Sequence, residues 1–306
     1  MVTSSSPKQE AELGIDYATL SSYKDVPVLS ITNFGHEGPY RDYKLSDTVL
    51  YAMGAEMYSH GLLDREPLKL GGTAALLQGG AMAAVAAMGA VTAYETQGIG
   101  QFVEVPLFNV QVSNIDRRSA AILGWRFSGR VQQRSPGASA GIAGGIYPVA
   151  DGYVELTASA GNYWRRFVEM VDDDALRDPK WENPMMAMNP AAKEEADGIV
   201  YPWMLTHTRA EAWEAARNAH AMLAPLYDGL DVWQDENFHA RGMWTEVEHP
   251  AIGAMPMLGR PYIFEASPWR VRHAAPSLGQ HTASVLAEAG LSEAEIATLK
   301  SSGVAA

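Results

Sequence analysis

The chain has 306 residues, 47% hydrophobic and 19% charged, and 36 acidic against 23 basic side chains give a formal charge of −13. That length supports one large domain or two modest ones with a sizeable core, and the acidic balance excludes nucleic-acid binding through a basic face, which needs clustered Lys and Arg. The absence of cysteine removes disulfides, thiolate nucleophiles and Cys-ligated metals.

In chain order, the opening MVTSSSPKQEAELG lacks the apolar run of a secretory leader. Residues 1–16 are expected to be a flexible N-terminus and the protein cytoplasmic. VLSIT (28–32) is a short β-branched strand that stops at the turn NFGHEGP, where Gly35, Gly38 and Pro39 break regular structure. A helical stretch follows over about 47–59, then the polar loop LLDREP. Residues 70–94 carry no charge, but Ala and Gly dominate, with Thr73, Gln78 and Thr92 interrupting. Transfer to a bilayer would be weakly favourable, so the segment reads as a buried helix without membrane contact. Gly79, Gly80, Ala83, Ala84, Ala87 and Ala90 would let another backbone come close.

QFVEVPLF (101–108) alternates as a strand does. Strand, helix, helix, strand suggests a parallel α/β layer, one strand short of what such a layer usually needs. SPGASAGIAGG (135–145) reads as a flexible loop and a domain boundary, and IYPVADGYVEL after it as a hairpin turning at Asp151 and Gly152. Helices follow, among them RAEAWEAARNAH (209–220) and a last one in which Ser292 and Glu295 form a capping-box pattern.

The eight histidines, at 36, 60, 207, 220, 239, 249, 273 and 281, form no metal-ligand spacing, so no metal is expected. His36 is the most interesting of them, because it sits on a glycine turn after a strand, where α/β proteins place ligands; a solvated turn histidine is the plainer account. There is no G-x-S-x-G, no P-loop and no strand-linked G-x-G-x-x-G. From the residues alone the reading stops at a soluble α/β protein.

VLSITNFGHEGPYRDYKLSDTVLYAMGAEMY resembles the segment of family III CoA-transferases, the carnitine and bile-acid (CaiB/BaiF) family, in which a strand leads through Phe-Gly and Gly-Pro-Tyr to an aspartate and a helix. ETQGIGQFVEVPLFNV is similar to the family's Thr-Gly-x-Gly-Gln and strand, GGIYPVADGYVEL to its small-domain hairpin, FHARGMWTEVEHPAIG to its Arg-Gly-Met…His-Pro-x-x-Gly signature, and PSLGQHTASVLAEAGLSEAEIATL to its closing segment. The resemblance implies a partial Rossmann-like parallel layer over 17–135 and 255–306, with the last helix returning to that layer. It also implies a smaller α+β domain over 140–250, in a fold whose dimers interlock like chain links. Typical members begin with further βα units that supply much of the CoA pocket, and this chain starts at their equivalent of LGIDYATL.

Family members attack an acyl-CoA thioester with an aspartate at the start of the Ala-rich helix, passing through an acyl anhydride and an enzyme–CoA thioester. Counting back without gaps from Gly100 and Gln101, or forward from Pro67, places that aspartate at Leu76. The nearest acids, Asp64, Glu66 and Glu95, lie at the ends of the segment. No catalytic residue is therefore expected in this chain. Where the racemases of the family carry Gly-His-Asp, it has Leu45, Ser46 and Asp47, and Asp47 alone cannot run a two-base racemisation.

By resemblance, CoA contacts fall on Thr32, Asn33, Phe34 and Gly35 and on a glycine loop with Gly141, Gly144 and Gly145, which reads equally well as an interdomain linker. The implied ligand is coenzyme A or acyl-CoA as substrate, with no permanently bound cofactor. The implied partner is a homologous Asp-bearing subunit or a second copy of the chain. Activity by an unorthodox route and a CoA-independent scaffold are the alternatives.

Overall fold

Parallel strands need crossovers long enough to bring the chain back to the same end, and the first third of the chain alternates short apolar strands with helices accordingly. The computed structural model describes residues 1–113, 118–131, 133–134, 139–158, 161–183, 185–186 and 189–305. In it β1 (Val2–Thr3) leads through α1 (Pro7–Leu13) and α2 (Tyr17–Tyr23) to β2 (Val28–Thr32). The next crossover, α3 (Asp47–Met53), α4 (Glu56–Ser59) and α5 (Ala74–Gln97), returns to β3 (Phe102–Pro106), which runs into α6 (Leu107–Ser113) and α7 (Arg118–Ser128). The strands lie in the order β1-β2-β3, all parallel, with Val2 opposite Leu29 and Val28 opposite Phe102.

The strand that the sequence reading lacks is β1, which lies with α1 in the 1–16 segment expected to be flexible. Pairing with β2 holds Val2 and Thr3. Ser6 and Gln9 form a capping box ahead of Pro7, and Gly14 ends α1 at φ 66°. The polar Ser-Ser-Ser-Pro run is thus a helix start rather than coil, as Ser before Pro at the first helical position favours.

Small residues seat α5 on the sheet. Ala75, Gly79, Ala83 and Ala90 are its buried positions, and Ala83 clusters with Leu29 and Val105. A Cβ on Gly79 would overlap the Leu107 side chain. Ala87 packs on the same cluster, whereas Gly80 and Ala84 are exposed. The expected buried helix is therefore buried on one face only: Leu77, Val85 and Met88 are 72%, 69% and 65% exposed. Among the described residues α5 is the helix long and apolar enough to cross a membrane, with mean hydropathy 1.6, and its small-residue face packs on β2, β3, α3 and α6.

An antiparallel sheet, β4 (Ser139–Gly141), β5 (Gly144–Val149), β6 (Gly152–Thr157) and β7 (Leu223–Pro225), pairs in chain order. It packs with α8 (Gly161–Val171), α9 (Pro190–Leu205) and α10 (Arg209–Ala219). Tyr147, Val149, Val154 and Leu156 point inward at period two and join Phe167, Val200 and Met204 in one core. The hairpin turns one residue earlier than expected, since Val149 pairs with Gly152. Asp151 at its tip accepts the Arg209 N–H at 2.7 Å, which ties the turn to the start of α10.

The chain divides into two compact units, Met1–Pro225 and Leu226–Ala306. The boundary expected near 135–140 thus falls inside the first unit; residues 135–138 lie outside the described residues, and β4 and β5 follow directly. The second unit holds α11 (Gly229–Gln234), α12 (Glu236–Ala240), β8 (Trp244–His249), β9 (Gly253–Leu258), α13 (Thr282–Glu288) and α14 (Glu293–Ser301). Residues 255–306, expected with the parallel layer, group here because β8 and β9 form one ladder across the anticipated cut, and dividing a ladder would orphan its backbone groups. The capping box of Ser292 and Glu295 forms as expected.

Two predictions follow from local geometry. A Cβ on Gly100 would overlap the Asp25 side chain and stand 2.7 Å from its carbonyl carbon. Gly100→Ala should therefore lower the urea midpoint by the equivalent of about 1–3 kcal/mol, whereas Gly80→Ala, in open space on an exposed helix, should be neutral or stabilising by up to about 1 kcal/mol. Separately, Glu211 sits below the ordinary carboxylate range because the Thr208 N–H and hydroxyl both donate to it. That cap is fully present above the ordinary carboxylate pKa and is lost as pH falls through the lowered value. An NMR titration should show Glu211 moving back up in Thr208→Ala, with less acid sensitivity of α10.

Candidate functional site

A 24-residue helix begins with N–H groups that need acceptors. Thr73 occupies the N-cap of α5, but its side chain makes no capping bond. The acceptor comes from α3 instead. Asp47 Oδ1 accepts the Leu76 N–H at 3.3 Å, and its Oδ2 pairs with Lys69 Nζ at 2.6 Å. Lys69 donates further to the carbonyls of Leu70 at 2.9 Å and Gly72 at 2.6 Å, which engages all three ammonium protons. Asp47 is also the first residue of α3, where Ser46 is the N-cap. One carboxylate therefore lies at the positive ends of two helices, each worth about 0.3–1 kcal/mol for a nearby anion.

Leu76 follows as the third residue of α5, 37% exposed. Its side chain has no lone pair, and the neighbouring Ala75 is buried against Leu50 and Tyr51. Chemically, the head of α5 holds a carboxylate whose oxygens are occupied by an ammonium and a backbone N–H. It anchors the helix, and the position facing outward from the first turn is aliphatic.

The candidate contacts Thr32, Asn33, Phe34 and Gly35 come together in the turn after β2, and they build it. Thr32 Oγ1 accepts the Gly35 N–H at 3.0 Å, and Asn33 Nδ2 donates to the Tyr43 carbonyl at 3.1 Å. The Phe34 ring packs edge-on to Tyr40 and Tyr43 and tilted on Phe108. Gly35 has φ 101°, a conformation that favours glycine. Thr32 and Phe34 are buried, so the turn can meet a ligand only through its backbone and Asn33. His36 bends back behind it, with Nε2 3.2 Å from both Ser30 Oγ and Glu10 Oε2, while Ser30 donates to Glu10 at 2.6 Å. It is neither a solvated histidine nor one aimed outward.

Gly141, Gly144 and Gly145 belong to the antiparallel sheet. Gly141 pairs with Gly144 across a turn of Ile142 and Ala143, both buried in the core of that sheet, and Gly145 has φ 120°. This is a tight hairpin rather than a slack linker. The two groups of candidates thus sit on different sheets. Sequence reasoning missed Lys69, half-buried just past the polar loop LLDREP, and Glu10, which lies in the segment expected to be flexible. A second buried network, in which Gln111 donates to Glu56 at 2.8 Å, was also not legible. Among the described residues no three of His, Asp and Glu gather as a metal site.

Asp47→Ala should leave the Lys69 ammonium and the Leu76 N–H without their acceptor. The expected result is a loss of about 1–3 kcal/mol in stability, with faster amide hydrogen exchange confined to the first turn of α5 and the 69–72 loop.

Residues 1–282 match the family model described as CoA-transferase family III. The chain is 26% identical over 310 residues to the succinyl-CoA:(R)-benzylsuccinate CoA-transferase subunit BbsE of Thauera aromatica, covering 98% of this chain and 74% of that protein. It is 26% identical over 280 residues to a succinate–glutarate CoA-transferase of Agrobacterium fabrum, covering 91% of this chain and 69% of the relative. In fold it is similar to a CaiB/BaiF family protein from Brucella suis, with a TM-score of 0.74 at 22% identity over 94% of this chain and 74% of that one.

Proposed function

Because the chain belongs to CoA-transferase family III, whose substrates are acyl-CoA thioesters, we propose that it is the subunit without the nucleophile in such an enzyme, working beside a homologous chain that carries the aspartate. The observation that carries this reading is the aliphatic Leu76 in the first turn of α5, next to a carboxylate already committed to Lys69 and the helix backbone. In the reaction, a carboxylate oxygen bonds to the thioester carbonyl carbon and the CoA thiolate leaves. The thiolate then attacks the enzyme's carbonyl and releases the acyl group as its acid. The incoming acid repeats the exchange in reverse. A leucine takes part in none of these steps.

The relative from Thauera aromatica is named as a subunit, which supports an assembly of more than one chain. So does α5: exposed Leu77, Val85 and Met88 fall on one side of the helix, and a contiguous apolar stripe of this kind is normally covered. We read its cover as the partner chain rather than lipid.

A second reading gives the nucleophile's part to Asp47, since its carboxylate is the one at the head of α5. One set of assays separates the two. Incubated alone with succinyl-CoA and a carboxylic acid acceptor, the chain should show no CoA transfer and no hydroxylamine-sensitive adduct. With an aspartate-bearing homologue, activity should survive Leu76→Ala and Asp47→Asn here but vanish when the homologue's aspartate is replaced. Turnover by the chain alone that Asp47→Asn abolishes would establish the second reading and end the first. Leu76→Asp should not by itself create full activity, because the new carboxylate would stand beside Asp47 without a thioester held in attack geometry, a requirement worth roughly 7–11 kcal/mol.

A further inference from the structure

Two residues of the second unit whose side chains carry unsatisfied donors line one cavity. Trp244 opens β8 opposite Leu258 of β9. Just beyond β9 the chain crosses back tightly: the Gly259 N–H donates to the Met243 carbonyl at 2.6 Å, and a Cβ on Gly259 would come within 2.9 Å of that oxygen. This crossing delivers Arg260 beside Trp244. The indole is fixed in turn by Trp233, edge-on at 4.7 Å.

Trp244 and Arg260, with Trp269, Arg270 and Glu246, line a cavity of about 320 Å³. Arg260 also borders a second cavity of about 400 Å³ that Arg241 lines. Trp244 Nε1 and Arg260 Nε are both buried without a hydrogen-bond acceptor among the described residues. Solvent does not reach either atom, so water does not compensate them, and a ligand oxygen meets them only once the indole and the guanidinium turn toward the cavity. Glu246 is exposed on the rim, and among the described residues no carboxylate forms an ion pair with Arg241, Arg260 or Arg270. In a chain of net charge −13, guanidinium groups left without a counter-ion are conspicuous.

We infer that this pocket of the β8–β9 hairpin binds a carboxylate, with the Arg260 guanidinium and the Trp244 indole N–H as its donors. A carboxylate matches the planar fork of a guanidinium with two acceptor oxygens, and the Trp244 and Trp269 rings would cover the carbon chain behind it. The carboxylate comes either from a free organic acid or from an acidic side chain of a second protein chain. The inference is independent of Leu76 and of the proposed subunit role.

The test uses the full chain and succinate, with sodium chloride at matched ionic strength as control, followed by calorimetry and tryptophan fluorescence. Trp244→Phe keeps an aromatic ring but removes the pyrrole half of the indole together with its N–H; Arg260→Gln removes the charge, and Arg260→Lys restores charge without the fork. Saturable succinate binding that weakens about tenfold to a hundredfold in Arg260→Gln, less in Arg260→Lys, and measurably in Trp244→Phe supports the pocket with a free acid as occupant. Self-association in sedimentation that weakens at least about tenfold in Trp244→Phe and Arg260→Gln supports it with a protein carboxylate as occupant. If Arg260→Gln does not fold by circular dichroism, Arg260→Lys, with Trp244→Phe beside it, decides. Neither effect in wild type, effects unchanged by the variants, or the same response to chloride, an adventitious ion only, would overturn the inference.

Discussion

Asp47 joins three pieces of chain through one carboxylate: it begins α3, accepts the backbone of α5 at Leu76, and holds Lys69, whose remaining protons close the 70–72 loop. The position of α5 on the sheet depends on this junction at one end and on a small-residue face along its length. Without an acceptor from outside, a helix whose N-cap side chain makes no bond would fray at the turn that bears Leu76. Because α5 covers β2 and β3, the junction also fixes how the parallel layer is closed.

The same junction shapes the functional reading. A carboxylate that is to react must keep a lone pair free and aimed at the substrate carbonyl; one that caps a helix and holds an ammonium has its oxygens directed inward. At the head of α5 the chain presents the aliphatic Leu76 beside the committed Asp47 carboxylate.

The two faces of α5 show why charge-free composition and burial are different properties. Ala and Gly allow close approach to strands, and at Gly79 the contact leaves no space for a Cβ. Leu77, Val85 and Met88 on the other side are as apolar but have no strand beneath them. The second unit shows a related economy: Val247 and Ile296 are its only buried hydrophobic residues among the described residues, so its order rests on the β8–β9 ladder, helix caps and aromatic contacts rather than on a large core.

By itself the sequence determined the elements whose causes are local. Strands β2 and β3 follow from β-branched and alternating residues, α14 from the capping box of Ser292 and Glu295, the β5–β6 hairpin from its turn residues, and the family from five ordered motifs. Tertiary structure decided what depends on partners distant in the chain. β1 is a strand only because β2 offers it an edge, as two residues carry no periodicity of their own. Lys69 becomes structural only because Asp47 lies 22 residues earlier, and His36 turns inward because Glu10 and Ser30 wait behind it. The division falls at Pro225, after β7, rather than at the glycine loop, and keeps the β8–β9 ladder within one unit, since backbone hydrogen bonds between strands join residues in a way composition does not reveal.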